Sequence, residues 1–151
     1  MKTGQSRTVK LDIASRFEML DMVQTVLGHL STMLGFDDDA AHYMSVAVRE
    51  SVVNAIKHGN QLDENKRVGV VFTIHPGALE VRVQDQGAGF DPEGVADPIA
   101  EENLLKAYGR GIFFMRSFMD EVEIHPSHTG TEIKLVKHGR GSAAGGKEDS
   151  Q

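Results

Sequence analysis

The most informative segment of the chain reads VRESVVNAIKHG and covers residues 48–59. Its apolar residues follow helical spacing, and Glu50 and Asn54 lie four positions apart, so their side chains share one face of a helix. Ala47 and Ser51 on that side are small and would let a ligand approach. A carboxylate can act as a base and an amide oxygen can bind Mg²⁺. The same pair is also typical of a solvated polar stripe on a surface helix, so the segment alone leaves both interpretations open.

A second segment, DQGAGFD, begins at Asp85, where a strand-like run ends. The Asp85 carboxylate could accept a hydrogen bond from an exocyclic amine such as that of adenine. Gly87 and Gly89 allow positive φ angles and close approach of the backbone to a ligand. An ordinary glycine-rich turn explains the segment equally well. A calcium-binding loop fits badly, because glycines would occupy its third and fifth positions and Ala96 its twelfth.

A third segment, Gly109-Arg110-Gly111, stands at the start of a run with helical spacing. Free backbone N–H groups and the helix dipole suit phosphate at such a position, although many helix starts bind nothing. The sequence GSAAGGKE at 141–148 is similar to a P-loop, but Glu148 replaces the required Ser or Thr and no strand precedes it. We therefore do not expect a P-loop there.

Hydrophobic periodicity predicts an α+β fold, a two-layer sandwich in which helices cover one face of a single mixed or antiparallel sheet. Ser15 is expected to cap the first helix, with Glu18 as its capping-box partner. The folded domain is expected to cover residues 6–138, and the glycine-rich residues 139–151 to form a disordered tail. The predicted strands cover residues 7–13, 68–75, 79–85, 122–125 and 131–136, and the predicted helices residues 15–35, 37–58 and 109–119.

Composition excludes several classes of protein. The chain has 151 residues and no cysteine, so it has no disulfide framework, cysteine zinc site or thiol nucleophile. Its net charge of −6 makes it a poor general binder of nucleic acid or of an anionic membrane. No apolar run is long enough for a transmembrane helix, and no signal peptide is evident, so a cytoplasmic location is expected.

The segments together resemble a known family. In order, ExxxNAxxHG, DxGxGF, GxG at a helix start and Gly130-Thr131 before the last strand resemble the boxes of the GHKL, or Bergerat-type, ATP-binding fold. The resemblance runs from about residue 7 to residue 137. Within that superfamily, residues 102–105 and GRGIFFMRSFMDEV at 109–122 resemble the stand-alone anti-sigma-factor serine/threonine kinases of the RsbW/SpoIIAB type.

The resemblance implies an ATP- and Mg²⁺-dependent protein kinase. It implies that Glu50 is the catalytic base, that Asn54 holds Mg²⁺ and nucleotide, and that Asp85 binds the adenine amine. The loop at 91–108 would be the ATP lid. Further nucleotide-binding candidates are Gly87, Gly89, Gly109, Arg110, Gly111 and Thr131.

The implied partners are a STAS-type antagonist, phosphorylated on serine, and a sigma factor; a homodimer is also implied. Two other functions stay open at this point. One is a non-catalytic ATP-binding module that sequesters a partner, and the other is a detached histidine-kinase catalytic domain.

Overall fold

Five strands and three α-helices make up the described part of the chain. The structure, a computed structural model, describes residues 7–87 and 110–139. A 3₁₀ turn at Phe17–Met19 precedes the first α-helix, and a π-helical turn at Ala55–Gly59 continues the second. In chain order the main elements are β1 (Arg7–Ala14), α1 (Leu20–Met33), α2 (Asp38–Asn54), β2 (Arg67–His75), β3 (Ala78–Gln84), α3 (Gly111–Phe118), β4 (Glu121–Ser127) and β5 (Gly130–His138).

The strands form one sheet in the order β1-β2-β3-β5-β4, and every neighbouring pair is antiparallel. The α+β prediction is thus confirmed, and its antiparallel alternative is the one the described residues adopt. Side chains of paired residues in an antiparallel ladder point to the same face. One such row crosses all five strands and is wholly apolar: Val9, Phe72, Val81, Leu135 and Val122.

The neighbouring row lies on the other face of the sheet, and four of its five residues are charged. It consists of Lys10, Val71, Arg82, Lys134 and Glu123. The helices pack on the apolar face, where Val23 of α1, Val48 of α2 and Met115 of α3 are fully buried in one cluster with the strand residues. All three described helices therefore cover the same face of the sheet, as predicted.

The predicted starts of the first two helices had different outcomes. Asp37 caps α2, since its side chain accepts a hydrogen bond from the Ala40 N–H at 2.8 Å. The predicted capping box of α1 is wrong. The Ser15 hydroxyl instead accepts a hydrogen bond from Asn60 at 3.0 Å, and Glu18 pairs with Arg16.

The end of α2 differs from the prediction in a way that matters for the site. The α-helix stops at Asn54, and the π-helical turn closes with a 2.7 Å hydrogen bond from the Asn60 N–H to the Ala55 carbonyl. Single π turns of this kind often mark functional sites. The third helix begins at Gly111, with Arg110 as its N-cap, and the predicted start at Gly109 lies outside the described residues. None of the described helices has the length and apolar character needed to cross a membrane.

Candidate functional site

Asp85 is a buried carboxylate at the end of β3, with only 3% of its surface exposed. Its Oδ1 atom accepts hydrogen bonds from the Gly87 N–H at 2.9 Å and the Thr131 N–H at 3.0 Å. The Asp85 N–H in turn donates to the Thr131 carbonyl at 3.1 Å. The side chain is therefore fixed by the end of β3 and the start of β5. Among the described residues, all of the hydrogen bonds to this carboxylate go to Oδ1, which leaves Oδ2 available.

Three glycines bring backbone against Asp85. A β-carbon on Gly59 would lie 2.0 Å from Asp85 Oδ2, and one on Gly87 would lie 2.0 Å from the Gly59 carbonyl oxygen. Gly130 has φ +141°, and its β-carbon would lie 2.2 Å from the Asp85 carbonyl oxygen. Real β-carbons do not approach other atoms this closely, so the π turn, β3 and β5 can converge here only through glycine.

Burial raises the pKa of Asp85 above its ordinary value. The N–H groups of Gly87 and Thr131 and the positive charge of Lys66 act in the opposite direction and only partly offset that effect. In the protein without ligand, the charged form of Asp85 is therefore less stable relative to the protonated form than it is in an ordinary aspartate. A ligand that donates a hydrogen bond to this carboxylate would stabilise its charged form.

A second group of side chains lies at the junction of α2 and α3. A β-carbon on Gly111, the first residue of α3, would lie 2.8 Å from both Asn54 Nδ2 and Glu50 Cγ. Glu50 and Asn54 therefore share one face of α2, directly beneath the N-terminus of α3. Glu50 is half-buried and makes no hydrogen bond or ion pair with another described residue.

Asn54 carries an unsatisfied polar atom. The residue is 2% exposed, and within the described part of the chain its Nδ2 atom is buried without a hydrogen-bond partner. Such an atom is rare in a native protein because it loses its hydrogen bond to water and gains none in return. An amide can present nitrogen or oxygen by a half-turn of its terminal group. Asn54 thus fits a phosphate oxygen through its nitrogen or Mg²⁺ through its oxygen.

The two groups of residues lie at opposite ends of one helical segment, formed by the second half of α2 and the π turn. Glu50 and Gly59 are nine residues apart along α2 and the π turn, or roughly 13 Å at the rise of an α-helix. One end offers a buried hydrogen-bond acceptor, and the other offers a carboxylate, an amide and a helix N-terminus. Such an arrangement suits a ligand with an amine-bearing ring at one end and anionic groups at the other.

The structure brings most of the sequence-predicted residues into these two groups. Asp85, Gly87 and Thr131 form the first, and Glu50, Asn54 and Gly111 form the second. Arg110 is exposed at the N-cap of α3 and makes no side-chain cap there. Gly89, Gly109 and the expected lid at 91–108 lie outside the described residues.

The candidate set from the sequence omitted Gly59, Gly130 and Asn60. Gly59 directly follows His58 at the end of the first motif, and Gly130 directly precedes Thr131. Their close contacts with Asp85 and with its loop depend on the tertiary fold. Asn60 carried no signal beyond its place directly after the first motif.

Comparison with known proteins assigns the chain to a family. Residues 13–137 match the histidine kinase-like ATPase domain, and the chain belongs to that family. The serine-protein kinase RsbW of Bacillus velezensis is 30% identical over 137 residues, covering 86% of this chain and 84% of that protein. RsbW of Bacillus subtilis is 26% identical over 136 residues, with coverage of 86% and 84%. The resemblance predicted from the motifs is confirmed.

Solved structures agree on the fold. The RsbU and RsbW domains of a Mycobacterium tuberculosis protein match with a TM-score of 0.64 at 17% identity, covering 87% of this chain and 32% of that one. The histidine kinase domain of a blue-light activated histidine kinase from Erythrobacter litoralis matches with a TM-score of 0.52 at 18% identity, with coverage of 83% and 61%.

Proposed function

We propose that this protein is an ATP- and Mg²⁺-dependent serine protein kinase that acts as an anti-sigma factor and phosphorylates a STAS-type antagonist. The observation that carries the proposal is the position of Glu50 and Asn54 together beneath the first residue of α3. A pure binding module needs no carboxylate that can take a proton at the phosphate end of its site. Membership of an ATPase-domain family and similarity to proteins named serine-protein kinase RsbW support the same conclusion.

The Asp85 end would bind the base. Oδ2 of Asp85 accepts a hydrogen bond from the exocyclic amine of adenine, while Oδ1 keeps its two backbone donors. The phosphates extend along α2 toward α3, whose free N–H groups and dipole favour negative charge. The amide oxygen of Asn54 would hold Mg²⁺, which, when bound, offsets the charge on the phosphate oxygens.

Glu50 would act on the phosphoacceptor. Its carboxylate accepts the proton of a serine hydroxyl and orients that oxygen toward the γ-phosphorus. The bond from the serine oxygen to phosphorus forms as the bond from phosphorus to the β,γ-bridging oxygen breaks, which leaves ADP, a phosphoserine and a protonated Glu50. Positioning and charge stabilisation supply most of the rate increase in such reactions.

The partners follow from the same proposal. The relatives are named as serine-protein kinases, which supports serine as the acceptor residue. The phosphorylated serine would lie on a STAS-type antagonist, and a sigma factor would be the second partner of a cytoplasmic homodimer.

Transfer of labelled phosphate tests the proposal. The protein is incubated with Mg²⁺, ATP labelled in the γ-phosphate and a STAS-type protein encoded in the same genome, and the product is mapped by mass spectrometry. The expected result is an acid-stable phosphoserine on the STAS-type protein. An acid-labile phosphohistidine would indicate a histidine-kinase catalytic domain instead. Tight ATP binding with no transfer to any STAS-type protein would indicate a sequestration module.

A further inference from the structure

Asn60 is a fully buried polar residue that lies outside both groups of the site. Its exposed fraction is 0%, and it directly follows Gly59, whose backbone contacts Asp85. The amide nitrogen of Asn60 donates to the Ser15 hydroxyl at 3.0 Å and to the Arg67 carbonyl at 3.1 Å. Both of its amide hydrogens are thus used, by residues at the end of β1 and the start of β2.

The amide oxygen of Asn60 has a different partner. It accepts a 2.8 Å hydrogen bond from the backbone N–H of Gln86, the residue between Asp85 and Gly87. The Gln86 side chain closes a ring of contacts by accepting from the Arg67 N–H at 2.7 Å. One buried side chain therefore joins three segments and fixes the loop that follows Asp85.

This loop determines where the Asp85 carboxylate points. Gly87 donates one of the two hydrogen bonds to Asp85 Oδ1, and Gly87 is held in place by its neighbour Gln86. If Gln86 were released from Asn60, Gly87 could move away and the Asp85 carboxylate could turn. Oδ2 would then no longer be held toward a ligand beside the π turn.

We propose that Asn60 is a positioning residue that sets the selectivity of the nucleotide site for adenine over a 6-oxo purine. The inference rests on the proposed function, because it assumes that Asp85 reads the adenine amine. Asn60 itself contacts no ligand. It acts through Gln86 and Gly87, and it lies at the base-binding end, away from Glu50.

The test compares ATP with inosine triphosphate, which carries a carbonyl oxygen in place of the exocyclic amine. Dissociation constants for both nucleotides with Mg²⁺ are measured by calorimetry on the full chain. The variants are Asn60→Ala, which removes every side-chain bond of Asn60, and Gln86→Ala, an exposed change that removes only the bond to Arg67. Val23→Ala, a buried change in α1, controls for loss of stability.

The expected wild-type preference for ATP is about tenfold or more, since a hydrogen bond to a charged group is lost with inosine triphosphate. In Asn60→Ala this ratio should fall toward one, with ATP weakened about tenfold and inosine triphosphate little changed. Gln86→Ala should reduce the ratio about threefold, because one of two parallel links remains. Val23→Ala should keep the wild-type ratio.

The outcomes separate two failures. A wild-type ratio in Asn60→Ala, even with both nucleotides weakened equally, would show a merely structural role and overturn the inference. If Asn60→Ala does not fold, a wild-type ratio of ATP to inosine triphosphate affinity in Gln86→Ala overturns the inference instead. A reduced ratio in Val23→Ala also overturns it. Wild-type protein that binds neither nucleotide, or binds both equally, would contradict the proposed function itself.

Discussion

Replacing Asp85 by asparagine should separate nucleotide binding from folding. The amide oxygen of Asp85→Asn can still accept from the N–H groups of Gly87 and Thr131, so the contacts that fix the loop are retained. The amide NH₂ takes the place of Oδ2 and cannot accept a hydrogen bond from adenine. Two donors would then face each other at the base-binding end.

The size of each effect follows from the structure. The lost hydrogen bond joins an amine to a buried carboxylate and is worth about 1.5–3 kcal/mol, or roughly ten- to a hundredfold in affinity. Burial raises the pKa of Asp85, so the charged form costs folding free energy at neutral pH. Asp85→Asn removes that buried charge. Its free energy of unfolding at pH 7 should therefore equal or exceed that of the wild type.

Calorimetry with ATP and Mg²⁺ measures the affinity, and urea unfolding measures the stability. Asp21→Asn is the matched control, because it changes the net charge equally at an exposed position on α1. The reasoning is refuted if Asp85→Asn binds ATP as the wild type does. It is also refuted if affinity and stability fall together, since Asp85 would then serve mainly to hold the fold.

Three further predictions concern the charge state of Asp85 and the phosphate end of the site. ATP affinity should fall as pH drops through the raised pKa of Asp85, at higher pH than an ordinary aspartate would give, because the protonated carboxyl accepts a hydrogen bond poorly. Calorimetry across acidic pH should show this fall in the wild type and not in Asp85→Asn. A fall in both proteins would mean that a group other than Asp85 causes it. The stability of the fold should depend on pH in the opposite direction to ATP affinity. The contribution of Asp85 to the free energy of unfolding is fully present below its unfolded-state pKa and is lost as pH rises through its folded-state pKa. Glu50→Gln should bind ATP and Mg²⁺ normally but slow phosphate transfer by roughly 10²–10⁴-fold, whereas Asn54→Ala should also lose Mg²⁺-dependent binding. Single-turnover kinetics and calorimetry on both variants measure this, and a normal transfer rate in Glu50→Gln would contradict its role as base. Gly111→Ala should slow phosphate transfer, because the added β-carbon displaces Glu50 and Asn54. Gly28→Ala is the control, since its β-carbon meets open space in α1. It should keep activity and gain up to about 1 kcal/mol of stability, measured by urea unfolding. Equal activity in both alanine variants would count against the position assigned to Gly111.

The sequence predicts the architecture well where local rules decide it. Alternation of apolar residues places β2 and β3 within a residue or so of their observed bounds, because one face of the sheet must be buried. The predicted start of α2 at residue 37 lies within one residue of the observed start at Asp38, because an N-cap needs only neighbouring backbone. Ser15 shows the limit of such rules. Its hydroxyl accepts a hydrogen bond from Asn60, 45 residues away, instead of capping the first helix. No local sequence pattern reveals this long-range partner.

The site shows the same division. The spacing of Glu50 and Asn54 predicts a shared helix face, but the position of Gly111 above them depends on how α3 packs. Asp85 and Thr131 are 46 residues apart and could be grouped from the sequence only through the family resemblance. Gly130 owes its importance to a positive φ and a close backbone contact, and both arise only when β3 and β5 pair.

The central claim is that the Asp85 end and the Glu50–Asn54 end form one nucleotide site. A crystal structure of the protein with Mg²⁺ and a non-hydrolysable ATP analogue tests it most directly. We predict that the adenine amine lies within hydrogen-bond distance of Asp85 Oδ2, with Mg²⁺ on the Asn54 amide oxygen and the γ-phosphate beside Glu50. A nucleotide bound elsewhere, or one whose phosphates lie away from Glu50 and Asn54, would contradict the claim.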